Sequence, residues 1–165
     1  AGCGGPSVEE LIRDDLTEGL DAIKSGDDED ILKGIEEGAD GAFDELKIDS
    51  KEWLKAFTKD FDYKIGDITV DEQKGTAKAK VTITSKNMAD VVTAFQTSFA
   101  SEVANMDPAT TEDELYAKAG ELFMKETEDA PTKETSCTFE YKRDGDTWDA
   151  SSSIDEELGR ALAGE

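Results

Sequence analysis

The chain has 165 residues, enough for one domain with a substantial core, and 36% hydrophobic against 36% charged residues suits a water-exposed globular chain. The 41 acidic and 18 basic residues leave a formal net charge of −23. That charge has the wrong sign for nucleic acid and for anionic lipid, and mutual repulsion predicts a monomer. There is no histidine, and Cys3 and Cys137 cannot form a zinc cluster, so neither metal nor cofactor is expected. No apolar run approaches the roughly 20 residues of a membrane span.

The chain opens Ala1-Gly2-Cys3-Gly4-Gly5-Pro6-Ser7. Ala1-Gly2-Cys3 resembles the last three residues of the lipobox of bacterial lipoprotein precursors, where the signal peptide is cut before a cysteine that then carries lipid. The resemblance implies lipidation at Cys3, a Gly/Pro tether within residues 1–7 and one domain over 8–165. It also implies an extracytoplasmic location, with the membrane reached only through the lipid. An unmodified cysteine, or one paired with Cys137, is the alternative.

A first helix is predicted from Ser7 to Lys24, capped by Ser7 with Glu10. Val8, Leu11, Ile12, Leu16, Leu20 and Ile23 form its apolar stripe, and Ser25-Gly26 ends it. A second is predicted from Asp28 to Leu46, with Ile31, Leu32, Ile35, Ala39, Ala42, Phe43 and Leu46 as its stripe. Asp27, Asp28, Glu29 and Asp30 crowd its start, where the helix dipole favours acids. They lack the alternating ligands, central glycine and closing glutamate of a calcium loop. Gly34, Gly38 and Gly41 fall near one face, which suggests either a close neighbouring helix or a thin wall beside a cavity. A short third helix follows, with Ser50 as cap and Trp53, Leu54 and Phe57 inward.

The apolar period then changes to two. Phe61, Tyr63 and Ile65 alternate with polar residues, while Ile68 and Val70 take the opposite parity, so a bulge is expected at Gly66-Asp67. A turn from Glu72 to Gly75 leads to Ala77, Ala79, Val81 and Ile83 on one side of a second strand. A fourth helix starts after Asn87, with Met88, Val91, Val92, Phe95, Phe99, Val103 and Met106 on its inward side, and breaks at Asp107-Pro108. A fifth starts with Thr111 and Glu114, buries Leu115, Ala119, Leu122 and Phe123, and stops before Pro131.

The second hairpin alternates Cys137, Phe139 and Tyr141 with Thr138, Glu140 and Lys142. With Asp144-Gly145 as its two-residue turn, Tyr141 pairs with Trp148, Phe139 with Ala150 and Cys137 with Ser152. A last helix is predicted over Ile154 to Ala163, capped by Ser153 with Glu156. The order of elements predicts an α+β fold: a curved antiparallel sheet of about four strands in two hairpins, with helices packed on one face.

The run Phe139-Glu140-Tyr141-Lys142-Arg143-Asp144-Gly145-Asp146-Thr147-Trp148 resembles the closing hairpin of nuclear transport factor 2-like (cystatin-like) lipoproteins. There a charged Asp-Gly turn precedes a Trp that packs into a curved sheet. The resemblance implies a cell-surface accessory domain, and the helical pair between the two hairpins departs from it. The related enzymes rely on an Asp–His or Asp–Tyr pocket, and no catalytic residue carries over to a chain without histidine.

Three functions remain open. The first is a non-enzymatic module binding a small molecule or a surface protein in the hollow under the sheet, with Tyr63, Phe139, Tyr141 and Trp148 as its aromatic wall. The second is an interaction domain whose aromatics simply fill the core. The third is a carboxylate-dependent hydrolase or isomerase. It is disfavoured, because the sequence has no nucleophile elbow, P-loop, dinucleotide fingerprint or metal motif.

Overall fold

The structure, a computed structural model, describes the backbone of residues 7–150 and 153–163 and the side chains of 7–150 and 157–163. Helix α1 (Val8–Ser25) begins where the Ser7 hydroxyl accepts the Glu10 N–H at 3.2 Å, satisfying a donor the first turn leaves open. It ends at Gly26, which is left-handed with φ of 71° and whose N–H donates to the Ile23 carbonyl at 3.1 Å. Ile12, Leu16 and Leu20 are buried. Leu11 is 43% exposed, against expectation: it sits at the rim of the stripe, about 100° from Ile12 around the helix.

The helix expected over 28–46 is two helices. Helix α2 (Glu29–Ala39) is capped by the Asp28 carboxylate, which accepts the Ile31 N–H at 3.0 Å. Asp40 and Gly41 are both left-handed, with φ of 50° and 84°, and a right-handed helix cannot pass through two such residues. Only one further turn follows, α3 (Ala42–Glu45). Gly34, Gly38 and Gly41 admit no neighbour, since a Cβ on any of them meets nothing within 4 Å. Helix α4 (Ser50–Thr58) is capped by Asp49 rather than Ser50. The Asp49 carboxylate accepts the Lys51 and Glu52 N–H groups at 2.9 and 3.3 Å, and an anion suits a helix start better than a hydroxyl. The Ser50 hydroxyl donates to Glu36 at 2.6 Å.

Strands β1 (Asp62–Asp71), β2 (Thr76–Ser85), β3 (Lys133–Asp144) and β4 (Thr147–Ala150) form one antiparallel sheet in that order. Ile65 faces Val81 and Ile68 faces Ala79, so one extra residue bulges from β1 at the predicted place. The Arg13 guanidinium donates to the Ile65 and Gly66 carbonyls there, at 3.4 and 3.3 Å. The closing hairpin takes a different register from the expected one. Tyr141 pairs with Ala150 and Arg143 with Trp148, around a Gly145-Asp146 turn. A type I′ turn at Asp144-Gly145 needs both residues left-handed. Gly145 has φ of 63°, whereas Asp144 is not left-handed. Moving by two residues preserves which side chains face inward. The expected Cys137–Ser152 pair and the Ser153–Glu156 cap involve positions outside the described residues.

Helices α1 and α7 (Ser153–Ala163) lie on the inward face of the sheet. Ile12, Leu16, Leu20 and Ala161 pack there against Phe61, Ala77, Ala79, Val81, Ile83, Cys137, Phe139 and Tyr141. Helices α5 (Met88–Ala104) and α6 (Glu112–Asp129) join α2–α4 around a second core of Ile48, Trp53, Phe57 and Val91. Gly120 of α6 has no room for a Cβ, which would overlap the Leu46 carbonyl. Of the inward stripe expected on α5, only Val91 is buried. On α6, Ala119 is buried, while Leu115, Leu122 and Phe123 are half-buried. Among the described residues no helix is long and apolar enough to cross a membrane.

Candidate functional site

The hollow expected under the sheet is mostly filled. Phe139 and Tyr141 are buried in the first core. Among the described residues a cleft of about 210 Å3 lies between α1, β3, β4 and α7, lined by Asp15, Leu16, Gly19, Leu20, Phe139, Tyr141, Ala150 and Leu158. Small-molecule sites span roughly 300–1,000 Å3, so this one falls below that range. Gly19 leaves it open on the helix side, where a Cβ would meet nothing within 4 Å.

The four expected wall residues do not converge. Phe139 and Tyr141 line the cleft. Tyr63 and Trp148 are half-buried against the same core but do not line it. The Tyr63 hydroxyl donates to Asp21 at 2.7 Å, and Trp148 lies 5.8 Å beneath the Arg143 guanidinium, a cation–π pair. Cys3, the expected lipidation site, is outside the described residues.

The chemistry at the cleft is that of a hydrogen-bonded pair. Tyr141 donates to the Asp15 carboxylate at 2.7 Å. Burial, and then that bond, hold the phenol well above the ordinary tyrosine value. Tyr141 therefore keeps its proton at neutral pH and cannot act as a base. Asp15 is exposed on α1, not a buried carboxylate on the sheet. Burial likewise raises the Cys137 thiol, which keeps it protonated and a weak nucleophile. Sequence reasoning missed Asp15, Gly19 and Leu158, whose link to Tyr141 spans up to 126 residues of chain and leaves no local signal.

The larger concavities lie at the surface. One of about 360 Å3 borders the α2–α3 break, lined by Glu36, Phe43, Asp44, Asp49 and Ser50 among others. Of the acids at the start of α2, Asp28 caps the helix and Glu29 and Asp30 lie in its first turn, and among the described residues no three Cys, Asp or Glu side chains are grouped to hold a metal.

In fold the chain is similar to the crystal structure of YcdA from Bacillus subtilis, a protein described as a lipoprotein, with a TM-score of 0.53 and 12% identity. The likeness covers 96% of this chain and 48% of that one, so the chain spans about half the length of its structural neighbour. No family model matches the chain, and no curated protein matches it.

Proposed function

We propose that the chain is a bacterial surface lipoprotein, anchored by lipid at Cys3, whose domain is a non-enzymatic accessory module of the nuclear transport factor 2-like (cystatin-like) kind. The observation that carries the reading is Ala1-Gly2-Cys3, followed by a Gly/Pro segment that runs straight into the Ser7 cap of α1. The α+β fold, similar to that of a Bacillus subtilis lipoprotein, supports it. A cleft below the size of a small-molecule site favours recognition through the outer surface over capture of a ligand in the interior.

The test is made in the native host. Mass spectrometry of the Cys3 peptide is expected to find a thioether-linked diacylglycerol, and Cys3→Ser is expected to move the protein from the membrane to the soluble fraction. An unmodified Cys3, or one in a disulfide, overturns the reading.

A further inference from the structure

Helix α5 carries apolar side chains that the fold only partly covers. Val92, Phe95, Phe99 and Val103, with Met106 in the turn beyond, follow at intervals of three, four, four and three residues, the spacing of a single helical seam. Among the described residues none of the five belongs to either core. Val92 is 38% and Val103 46% exposed, and Phe95, Phe99 and Met106 are half-buried. Phe95 stacks on Phe99 with ring centres 5.5 Å apart and meets the edge of Phe123 at 5.5 Å. The seam thus has an ordered aromatic floor and a top open to water. Every residue from Val91 to Ser101 is uncharged, in a chain that is 36% charged.

We propose that this seam on α5 is a docking site for a basic amphipathic helix of a partner protein. Two magnitudes argue against a second copy as the occupant. The stretch from Val92 to Met106 is about 22 Å long and about 10 Å wide, on the order of 220 Å2, whereas a stable interface takes roughly 800 Å2 from each partner. Each copy also carries −23, so two copies repel as they approach. A single amphipathic helix reads such a stripe through anchors at i, i+3, i+4 and i+7, as a small contact of the weaker class. Charge selects its chemistry: residues 88–129 hold ten acids against two lysines. Lys118 is already flanked by Glu102 and Glu121 at 3.8 and 3.6 Å. An apolar stripe bordered by Lys or Arg complements both the seam and the field around it.

Ser7 lies beside the β1–β2 turn, and α5 starts from the opposite end of β2, ten residues or about 33 Å away. The docking site rests on the reading of the domain as an accessory module but not on lipidation of Cys3, so the two fail separately.

The test titrates the full chain, by calorimetry, with a synthetic 18-residue leucine–lysine peptide that forms an amphipathic helix. A peptide of the same composition in scrambled order is run beside it. The helical peptide is expected to bind one to one at micromolar affinity, at least 10-fold tighter than the scrambled one. Val103→Asp is expected to weaken it at least 10-fold, while Leu11→Asp, an equal change of charge on α1, does not. The sign is diagnostic, because an added acid strengthens any purely electrostatic binding. Should Val103→Asp fail to fold, Val103→Ser is expected to give a smaller loss in the same direction. Equal affinity for the two peptides, no binding, or an unchanged affinity in the Val103 variant overturns the proposal. So does a dimer in sedimentation that Val103→Asp abolishes.

Discussion

Lys86 is the one buried charged side chain among the described residues. It is 2% exposed, and its ammonium donates to the carbonyls of Ala56, Thr127 and Glu128 at 3.0, 2.8 and 2.9 Å. Those carbonyls sit in the last turns of α4 and α6, where a helix leaves its acceptors unpaired and its dipole negative. Burial pulls the lysine below its ordinary pKa. Lys86→Met strands three acceptors and is expected to lower stability by about 2–4 kcal/mol in urea unfolding. Tyr141 sets a pH limit. Its folded pKa is raised, so the native state holds the proton more tightly than the unfolded chain does. The stabilisation is complete below the unfolded value of about 10 and is lost as pH rises beyond it. Denaturant unfolding between pH 8 and 11 is expected to show this decline, with a shallower slope for Tyr141→Phe.

At the scale of elements, the glycines separate by what surrounds them. Gly34 and Gly38 sit within α2 facing open space, so replacing each with Ala is expected to stabilise by roughly 0.5–1 kcal/mol. Gly120→Ala drives a methyl group into the Leu46 carbonyl of a packed neighbour and is expected to cost about 2–3 kcal/mol or more. Thermal denaturation of the three variants checks the ordering. The closing hairpin teaches a related point. Gly145 is the turn residue in either register, and only its position in the pair of central residues decides whether Trp148 faces Tyr141 or Arg143. Helix α5 is the element where sequence and burial part most. Its apolar arc predicts a buried face, but α6 covers only part of it, leaving Val92 and Val103 in water.

Across the whole molecule the net charge of −23 opposes compaction. The ion pairs do little against it: Arg13–Glu9, Lys24–Asp62 and Lys133–Asp90 are exposed at one or both partners, and such pairs contribute at most about 1 kcal/mol each. Raising sodium chloride from 10 mM to 1 M shortens the screening length from about 30 Å to about 3 Å. The melting temperature is therefore expected to rise by several degrees over that range, and a fall would mean that local pairs outweigh the net repulsion. The two cores also predict uneven protection. Hydrogen exchange is expected to be slowest in β2 and β3, whose inward residues are almost fully buried, and fast along α5.

The sequence by itself determined the four strands in two hairpins and the inward faces of β2 and β3, the bulge near Gly66, the caps at Ser7, Asn87 and Thr111, and the lipobox-like start, but neither the break at Asp40-Gly41 nor the burial along α5. Those signals are local, written in periods of two and 3.6 and in the hydrogen bonds of neighbouring residues. Only the tertiary structure decided that the hollow under the sheet is nearly full, that Asp15 meets Tyr141 and Lys86 closes two helix ends, and that α5 is left half uncovered. Each of these depends on groups brought together across tens of residues of chain. The volume between packed layers is set by shape in three dimensions, which no spacing along one strand or helix encodes.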